Sequence, residues 1–163
     1  MSRKLWLASD AIDTTDLVTP VPYVIIQHTA TGNCSTQAQC KFFVKEIQKY
    51  HMDSYGWWDI AYNFLVGGDG LVYEGRGWTY EGSHTKSYNK VSIGIGFIGT
   101  FNKDLPPERQ LLAAKLLIQK GVDDKYIAEN YKLLAATNVS PTMSPGPALT
   151  ALLKKWPHWS LKP

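Results

Sequence analysis

Between Gly56 and Trp78 the chain reads GWWDIAYNFLVGGDGLVYEGRGW, and no other stretch constrains the fold as tightly. Tyr62, Phe64 and Val66 alternate with Ala61, Asn63 and Leu65. Gly67-Gly68-Asp69-Gly70 then supplies residues that tolerate positive φ, and Leu71-Val72-Tyr73 resumes an extended pattern. The stretch therefore predicts a β-hairpin with an aromatic approach. A hairpin brings its ends together, so Trp57 and Trp58 before the first strand are expected beside Arg76 and Trp78 after the second. Spacing alone fits a buried tryptophan and a surface arginine equally well.

The flanking chain decides what the hairpin packs on. Val21 to Gln27 (VPYVIIQ) is a near-continuous apolar run, suited to a strand covered on both faces. It ends in Gln27-His28-Thr29, polar groups at the end of a strand, where α/β sheets place their sites. Ser35 or Thr36 suits the cap of a helix over about 36–52, with Cys40, Phe43, Val44, Ile47 and Tyr50/His51 at helical spacing and Lys41, Lys45 and Lys49 on another side. Ser92 to Gly99 (SIGIGFIG) reads as a strand with Ile93, Ile95 and Phe97 on one face. Gly94 and Gly96 share the other, a sign of something packed close to that backbone. Pro106-Pro107-Glu108 opens a second helix that Gly121 is expected to stop. A short strand over Leu133–Ala136 follows, then a third helix from Pro147 with Leu149, Leu152, Leu153 and Trp156 on one stripe. Residues 1–20 read as an extended arm laid on a single domain of residues 21–163. The order of elements predicts an α/β fold, one mixed sheet with three helices packed on it.

Composition removes several function classes. The net charge of +3, with no Lys/Arg cluster longer than two residues, gives no footprint for nucleic acid. No apolar run reaches membrane-spanning length, and the opening MSRKLWLASD does not read as a signal peptide, so an extracellular domain of this kind takes its secretion or anchoring signal from outside this sequence. Cys34 and Cys40 are too few for a zinc site without other ligands, but their spacing suits a small disulfide loop. Asn33-Cys34-Ser35 and Asn138-Val139-Ser140 are glycosylation sequons, the second weakened by Pro141. There is no HExxH, GxSxG, Walker or dinucleotide motif. Of the four histidines, His51 at a helix end and His158 in a tail are expected to be structural. His28 at a strand end and His84 in a loop are the better site candidates. The residues by themselves favour binding over catalysis.

Several separated segments together carry a resemblance: VIIQHTATGNCSTQAQC, YHMDSYGWWDIAYNFLVGGDGLVYEGRGW, YNKVSIGIGFIGTFN, YKLLAATNVSPTMSPG and the closing WPHWS. In order and over residues 20–160 they resemble the peptidoglycan recognition proteins, relatives of zinc-dependent N-acetylmuramoyl-L-alanine amidases. The likeness is strongest to the insect membrane-anchored receptor and regulator branch, the long forms LC and LF. It implies a central, mostly parallel sheet with helices on it, an N-terminal segment particular to the family, and a Cys34–Cys40 disulfide. It also implies an extracellular, membrane-anchored ectodomain acting in innate immunity.

The departures from the family pattern shape the expected function. The amidases hold zinc at three positions that read here Gln27, Ala136 and Ser144, while the catalytic tyrosine position keeps Tyr62. A catalytic zinc needs three protein ligands and an open fourth position, so no metal, no cofactor and no amidase activity are expected. In relatives that prefer diaminopimelic acid (DAP) peptidoglycan, a Gly-Trp pair and an arginine face the third stem residue; these match Gly56, Trp57 and Arg76. A guanidinium taking the extra DAP carboxylate in two parallel hydrogen bonds explains such a preference. His28, Thr29, Trp78, His84, Tyr88 and Asn89 match other groove positions. The resemblance implies two roles: a regulator that pairs with related receptor ectodomains without ligand, and a receptor that itself binds DAP-type muropeptide.

Overall fold

The computed structural model describes residues 1–163 as a five-stranded sheet with three α-helices. Its strands are β1 (Val21–His28), β2 (Phe64–Val66), β3 (Val72–Glu74), β4 (Ser92–Phe97) and β5 (Ile127–Ala135), in spatial order β3-β2-β4-β1-β5. β1 pairs parallel with β4 and β5, β2 pairs parallel with β4, and only β2–β3 is antiparallel. The interior strand β1 is the apolar run read from the sequence, with Val24, Ile25 and Ile26 fully buried. A parallel strand flanked on both sides needs that continuous apolarity. β5 is longer than the expected four residues. Glu129, Asn130 and Lys132 break its apolar pattern because this edge strand leaves that part in solvent.

Helix α1 (Gln37–Tyr55) is capped by Thr36, whose side chain accepts from the Gln39 N–H, and it runs on past the expected end to Gly56, which closes it at φ 67°. Helix α2 (Glu108–Asp123) does not stop at Gly121. That glycine is buried inside the helix, and a β-carbon there would fall 2.7 Å from the Trp78 ring. It is a packing glycine, not a stop signal. Helix α3 (Pro147–Leu153) buries Leu149 and Leu153, and Trp156 packs from the turn that follows. No helix is long and apolar enough to cross a membrane.

In the β2–β3 turn only Gly70 uses positive φ (84°). Gly67 and Gly68 are there for a different reason: β-carbons would meet Cys40 Sγ at 2.8 Å and the Cys34 carbonyl oxygen at 2.0 Å. Cys34 and Cys40 are disulfide-bonded, as the resemblance implied, and the loop they close lies directly on this turn. Arg109 of α2 clamps both, donating to the Gly68 and Ser35 carbonyls.

Residues 1–20 wrap the hairpin side of the molecule. Trp6 is buried among Val44, Ile60 and Tyr73 and donates through Nε1 to the Glu74 carbonyl at 2.9 Å. Arg3 pairs with the nearly buried Asp59 at 2.8 Å.

Candidate functional site

The carboxyl end of β1, the α1 flank and the loop over residues 82–85 surround a cleft of about 790 Å³. Gln27, Thr29, Tyr62, His84 and Ser144 line it on the sheet side. Two of these side chains owe their places to the glycines of β4. The His84 ring lies against Gly94 and the Tyr62 ring against Gly96, at distances where a β-carbon would collide or crowd. The glycine face of SIGIGF is therefore the seat of the cleft's floor.

The opposite wall is aromatic, and of its residues only Trp57 was expected there. Phe42, Phe43, Tyr50, Tyr55 and Trp57 line the cleft from α1 and its C-terminal end. Trp57 stacks on Tyr55 at 4.7 Å between centroids and sits 5.0 Å from His51. His51, read from the sequence as structural, lines the cleft as well. The available signal was its one-turn spacing from Ile47 and Tyr55, which puts all three on the helix face that turns to the sheet end.

The three buried or cleft-lining histidines are neutral at pH 7. Burial, reinforced by the nearby Arg76 charge, lowers the His51 pKa to about 4 and the His84 pKa to about 3. Burial lowers that of His28 too. His51 Nδ1 accepts the Ala61 N–H at 2.9 Å and His28 Nδ1 accepts the Phe101 N–H at 3.1 Å. In the neutral ring an accepting Nδ1 leaves the proton on Nε2. The Tyr62 phenol is held protonated by burial, with the Tyr55 hydroxyl adding to the shift.

Arg76 lies beside the cleft in a recess of about 230 Å³ shared with Gly56, Trp57, Trp58 and Ser83. This much of the hairpin expectation holds in space. Its guanidinium is largely engaged: Nε donates to the Ile60 carbonyl at 2.8 Å, Nη1 to the Glu81 carbonyl at 3.0 Å and Nη2 to Ser83 Oγ at 2.9 Å. A longer contact of 3.4 Å joins Nη2 to the Asp59 carbonyl. One Nη1 hydrogen is left over, so a two-pronged carboxylate contact would need one of these bonds released. Fully buried Asn63 fixes the surrounding loop, donating to the Gly77 and Tyr80 carbonyls while accepting from the Gly94 N–H.

Other expected groove residues are elsewhere. Trp78 stacks on Tyr126 at 5.2 Å, packs against Phe64 and Gly121, and opens onto a separate pocket under the N-terminal segment. Its large apolar ring fills the gap between the hairpin and α2, which takes it away from the cleft. His28 does not line the cleft: it is buried against Phe101, and its backbone N–H donates to Ser144 Oγ. Tyr88 packs edge-on against Tyr23. Asn89 supports the cleft from behind, its Oδ1 accepting from the His84 and Thr85 N–H groups at 2.9 Å each.

The chain over residues 17–147 matches the family model described as N-acetylmuramoyl-L-alanine amidase. It is 42% identical to a peptidoglycan recognition protein of Trichoplusia ni, over 98% of this chain and 87% of the relative. The chain belongs to the peptidoglycan recognition protein family. Among solved structures of this family, it is similar to the LCa–LCx ectodomain complex bound to tracheal cytotoxin (49% identity, TM-score 0.97, covering 99% of this chain and 98% of that one). It is also similar to recognition protein LE in complex with tracheal cytotoxin, a monomeric DAP-type peptidoglycan (43% identity, TM-score 0.97, covering 98% and 95%).

Gln27, Ala136 and Ser144, the positions at which the resemblance implies a zinc site, do not make a donor set that fits the ion. Ala136 is fully buried beside Ile25 and Leu134 and offers no donor atom. The Gln27 amide nitrogen donates to the His84 carbonyl and Thr85 Oγ1, and Ser144 Oγ accepts from the His28 N–H at 3.0 Å. Neutral amide and hydroxyl oxygens are poor zinc ligands, and two of them make too small a set.

Proposed function

We propose that this chain is a non-catalytic recognition ectodomain of innate immunity that binds DAP-type muropeptide in the cleft. The observation that carries this reading is the open cleft of about 790 Å³, with Arg76 and Trp57 meeting in a recess at its side. A volume of that size suits a muropeptide-sized ligand. The free Nη1 hydrogen of Arg76 is the donor for the extra DAP carboxylate, and the α1 aromatics supply apolar wall. The chemistry at Gln27, Ala136 and Ser144 supports recognition without hydrolysis.

The similarity to an LCa–LCx ectodomain complex supports pairing with a related receptor ectodomain across the bound ligand. A regulator that pairs without ligand is the other reading. Bulky side chains filling the cleft would favour that reading. Trp57 instead lies stacked along one wall, and Tyr88 is packed on Tyr23, which favours the ligand-binding version. The disulfide supports an extracellular location, since such bonds persist in oxidising compartments. We place the glycan at exposed Asn33 and not at Asn138, whose side chain accepts from the Ala135 N–H. A membrane anchor is proposed from the family branch alone.

Calorimetric titration of the isolated domain with DAP-type and lysine-type muropeptides tests the reading. Uptake of the DAP form with weaker or no uptake of the lysine form is expected. No heat with either, together with association with a related receptor ectodomain, would replace it with the ligand-free regulator.

A further inference from the structure

Arg76 runs between two hollows. On one side is the recess that it shares with Trp57 and Ser83 beside the cleft. On the other is a pocket of about 310 Å³ under the N-terminal segment, which Arg3, Asp59 and Gly75 also line. Every partner of its guanidinium within the protein is a carbonyl or a hydroxyl, so its charge meets no carboxylate directly. Asp59 nevertheless stands beside it. The Asp59 carbonyl lies 3.4 Å from Arg76 Nη2, and the side chain of the same residue is a nearly buried carboxylate. An uncompensated anion there would draw on the Arg76 charge and repel an anionic ligand at the same guanidinium.

Arg3 supplies the compensation. Its Nη1 lies 2.8 Å from Asp59 Oδ2 and its Nη2 donates to Oδ1 at 3.2 Å, a two-pronged contact. The other groups on Asp59 Oδ1 are neutral: the Gln48 amide at 2.8 Å and the Ile60 N–H at 2.7 Å. Arg3 is itself held in place by the Gly75 and Ser9 carbonyls, both at 2.8 Å. Gly75 precedes Arg76, so the ion pair is tied to the hairpin end that carries Arg76. Burial lowers the Arg76 pKa. Beyond that, Asp59 pulls it up, Arg3 pushes it down, and part-exposed Glu81 pulls it up more weakly. Arg3 and Asp59 therefore act on Arg76 with opposite signs.

We propose that Arg3 is a positioning residue for specificity: acting through Asp59, which it neutralises, it leaves the Arg76 charge free for the extra DAP carboxylate. It does so from the far side of Arg76, without touching the ligand. The specificity half rests on the DAP reading proposed above; the charge relation among Arg3, Asp59 and Arg76 concerns the free protein.

The test is calorimetric titration with DAP-type muropeptide and with the same muropeptide amidated at the extra DAP carboxylate. The unmodified protein should prefer the free acid. Arg3→Met leaves Asp59 uncompensated, and the preference should shrink about three- to tenfold, the scale of one unit charge felt over several ångström in a half-buried site. Removing both charges, in Arg3→Met with Asp59→Asn, should restore it. Asp59→Asn alone should widen it, and this variant decides the matter where Arg3→Met, with its unpaired buried carboxylate, does not fold. Equal weakening of both muropeptides in Arg3→Met, or no recovery in the double variant, marks a structural contact and overturns the proposal. An unchanged preference in both single variants does the same, as does an unchanged preference in Asp59→Asn where Arg3→Met does not fold. Labelling of Arg76 by phenylglyoxal in the ligand-free protein, read by mass spectrometry, separates the proposal from the fate of the ligand. The reagent attacks the deprotonated guanidine, so Arg76 should label more slowly in Arg3→Met and at the native rate in the double variant. If the unmodified protein takes up neither muropeptide and labelling follows this order, the proposed ligand fails and the charge relation stands. Unchanged labelling in Arg3→Met, or the faster labelling of a loosened recess, overturns that relation too.

Discussion

A β-carbon on Gly94 would fall 2.3 Å from Cδ2 of His84, while one on Gly96 would lie 3.1 Å from the Tyr62 ring. The two glycines of one strand face thus hold two cleft residues at different degrees of contact. Gly94→Ala should displace His84, with a stability loss of about 1–3 kcal/mol for overpacking and loss of muropeptide binding. Gly96→Ala asks only a few tenths of an ångström of Tyr62 and should cost less. Urea denaturation of the two variants side by side checks the order.

That relationship was half legible in the sequence. Gly94 and Gly96 announced a close neighbour, and the apolar run at Val21–Gln27 announced a strand covered on both faces, because both patterns follow from local backbone geometry. The identity of the neighbour depends on how the loop over residues 82–85 folds back over the sheet, and no local pattern records that. Gly121, read as a helix stop, and Trp78, read as a groove residue, are the two halves of one long-range contact between the hairpin and α2, which no local pattern records. The aromatic wall of α1 was hidden because Phe42, Tyr50 and Tyr55 stay exposed, and exposure is not written in helical spacing.

Arg76→Lys separates the two roles of this residue. An ammonium places its donors at one point and cannot reach the Ile60 carbonyl, the Glu81 carbonyl and Ser83 together. The variant should lose about tenfold or more of any DAP-over-lysine preference, since a hydrogen bond to a charged group contributes about 1.5–3 kcal/mol. It should also unfold at lower urea than the unmodified protein. Calorimetry with both muropeptides, paired with denaturation, reads the two effects separately.

Replacing Cys34 and Cys40 by serine should lower stability by roughly 2–3 kcal/mol on the loop-entropy account. The loss should concentrate in the β2–β3 turn, because Gly67 and Gly68 pack directly on the bridged loop. Hydrogen exchange at residues 67–71 should therefore rise more than at β1. In the unmodified native protein, alkylation followed by mass spectrometry should find no reactive thiol.

The histidines give stability a defined dependence on pH. His51 and His84 have folded pKa values of about 4 and about 3, against 6.5 for the unperturbed side chain. Between those limits the unfolded chain binds more protons than the folded one, so stability falls as pH falls through 6.5 and goes on falling towards 4. From pH 7 to pH 5 the two together should remove about 2–4 kcal/mol. His51→Asn keeps an acceptor for the Ala61 N–H without a titrating ring, and it should flatten about half of that dependence. Urea midpoints measured from pH 7 to pH 5 in both proteins decide it.

Introducing the metal ligands that the resemblance implies tests whether the scaffold can hold a zinc geometry. Gln27→His, Ala136→His and Ser144→Cys together should bind zinc in calorimetry, whereas each single change leaves two ligands missing and should bind little. The triple variant should be less stable than the unmodified protein without metal, for two reasons. Ala136 is fully buried beside Ile25 and Leu134, so a histidine there adds volume to a packed cluster at a cost of about 1–3 kcal/mol. Gln27→His also removes the amide that bonds the His84 carbonyl and Thr85. Added zinc should recover stability by linkage, with a melting temperature that rises with zinc concentration. A triple variant that folds but neither binds zinc nor gains stability from it would mean that the backbone around β1 and the Ser144 loop has moved away from the amidase geometry.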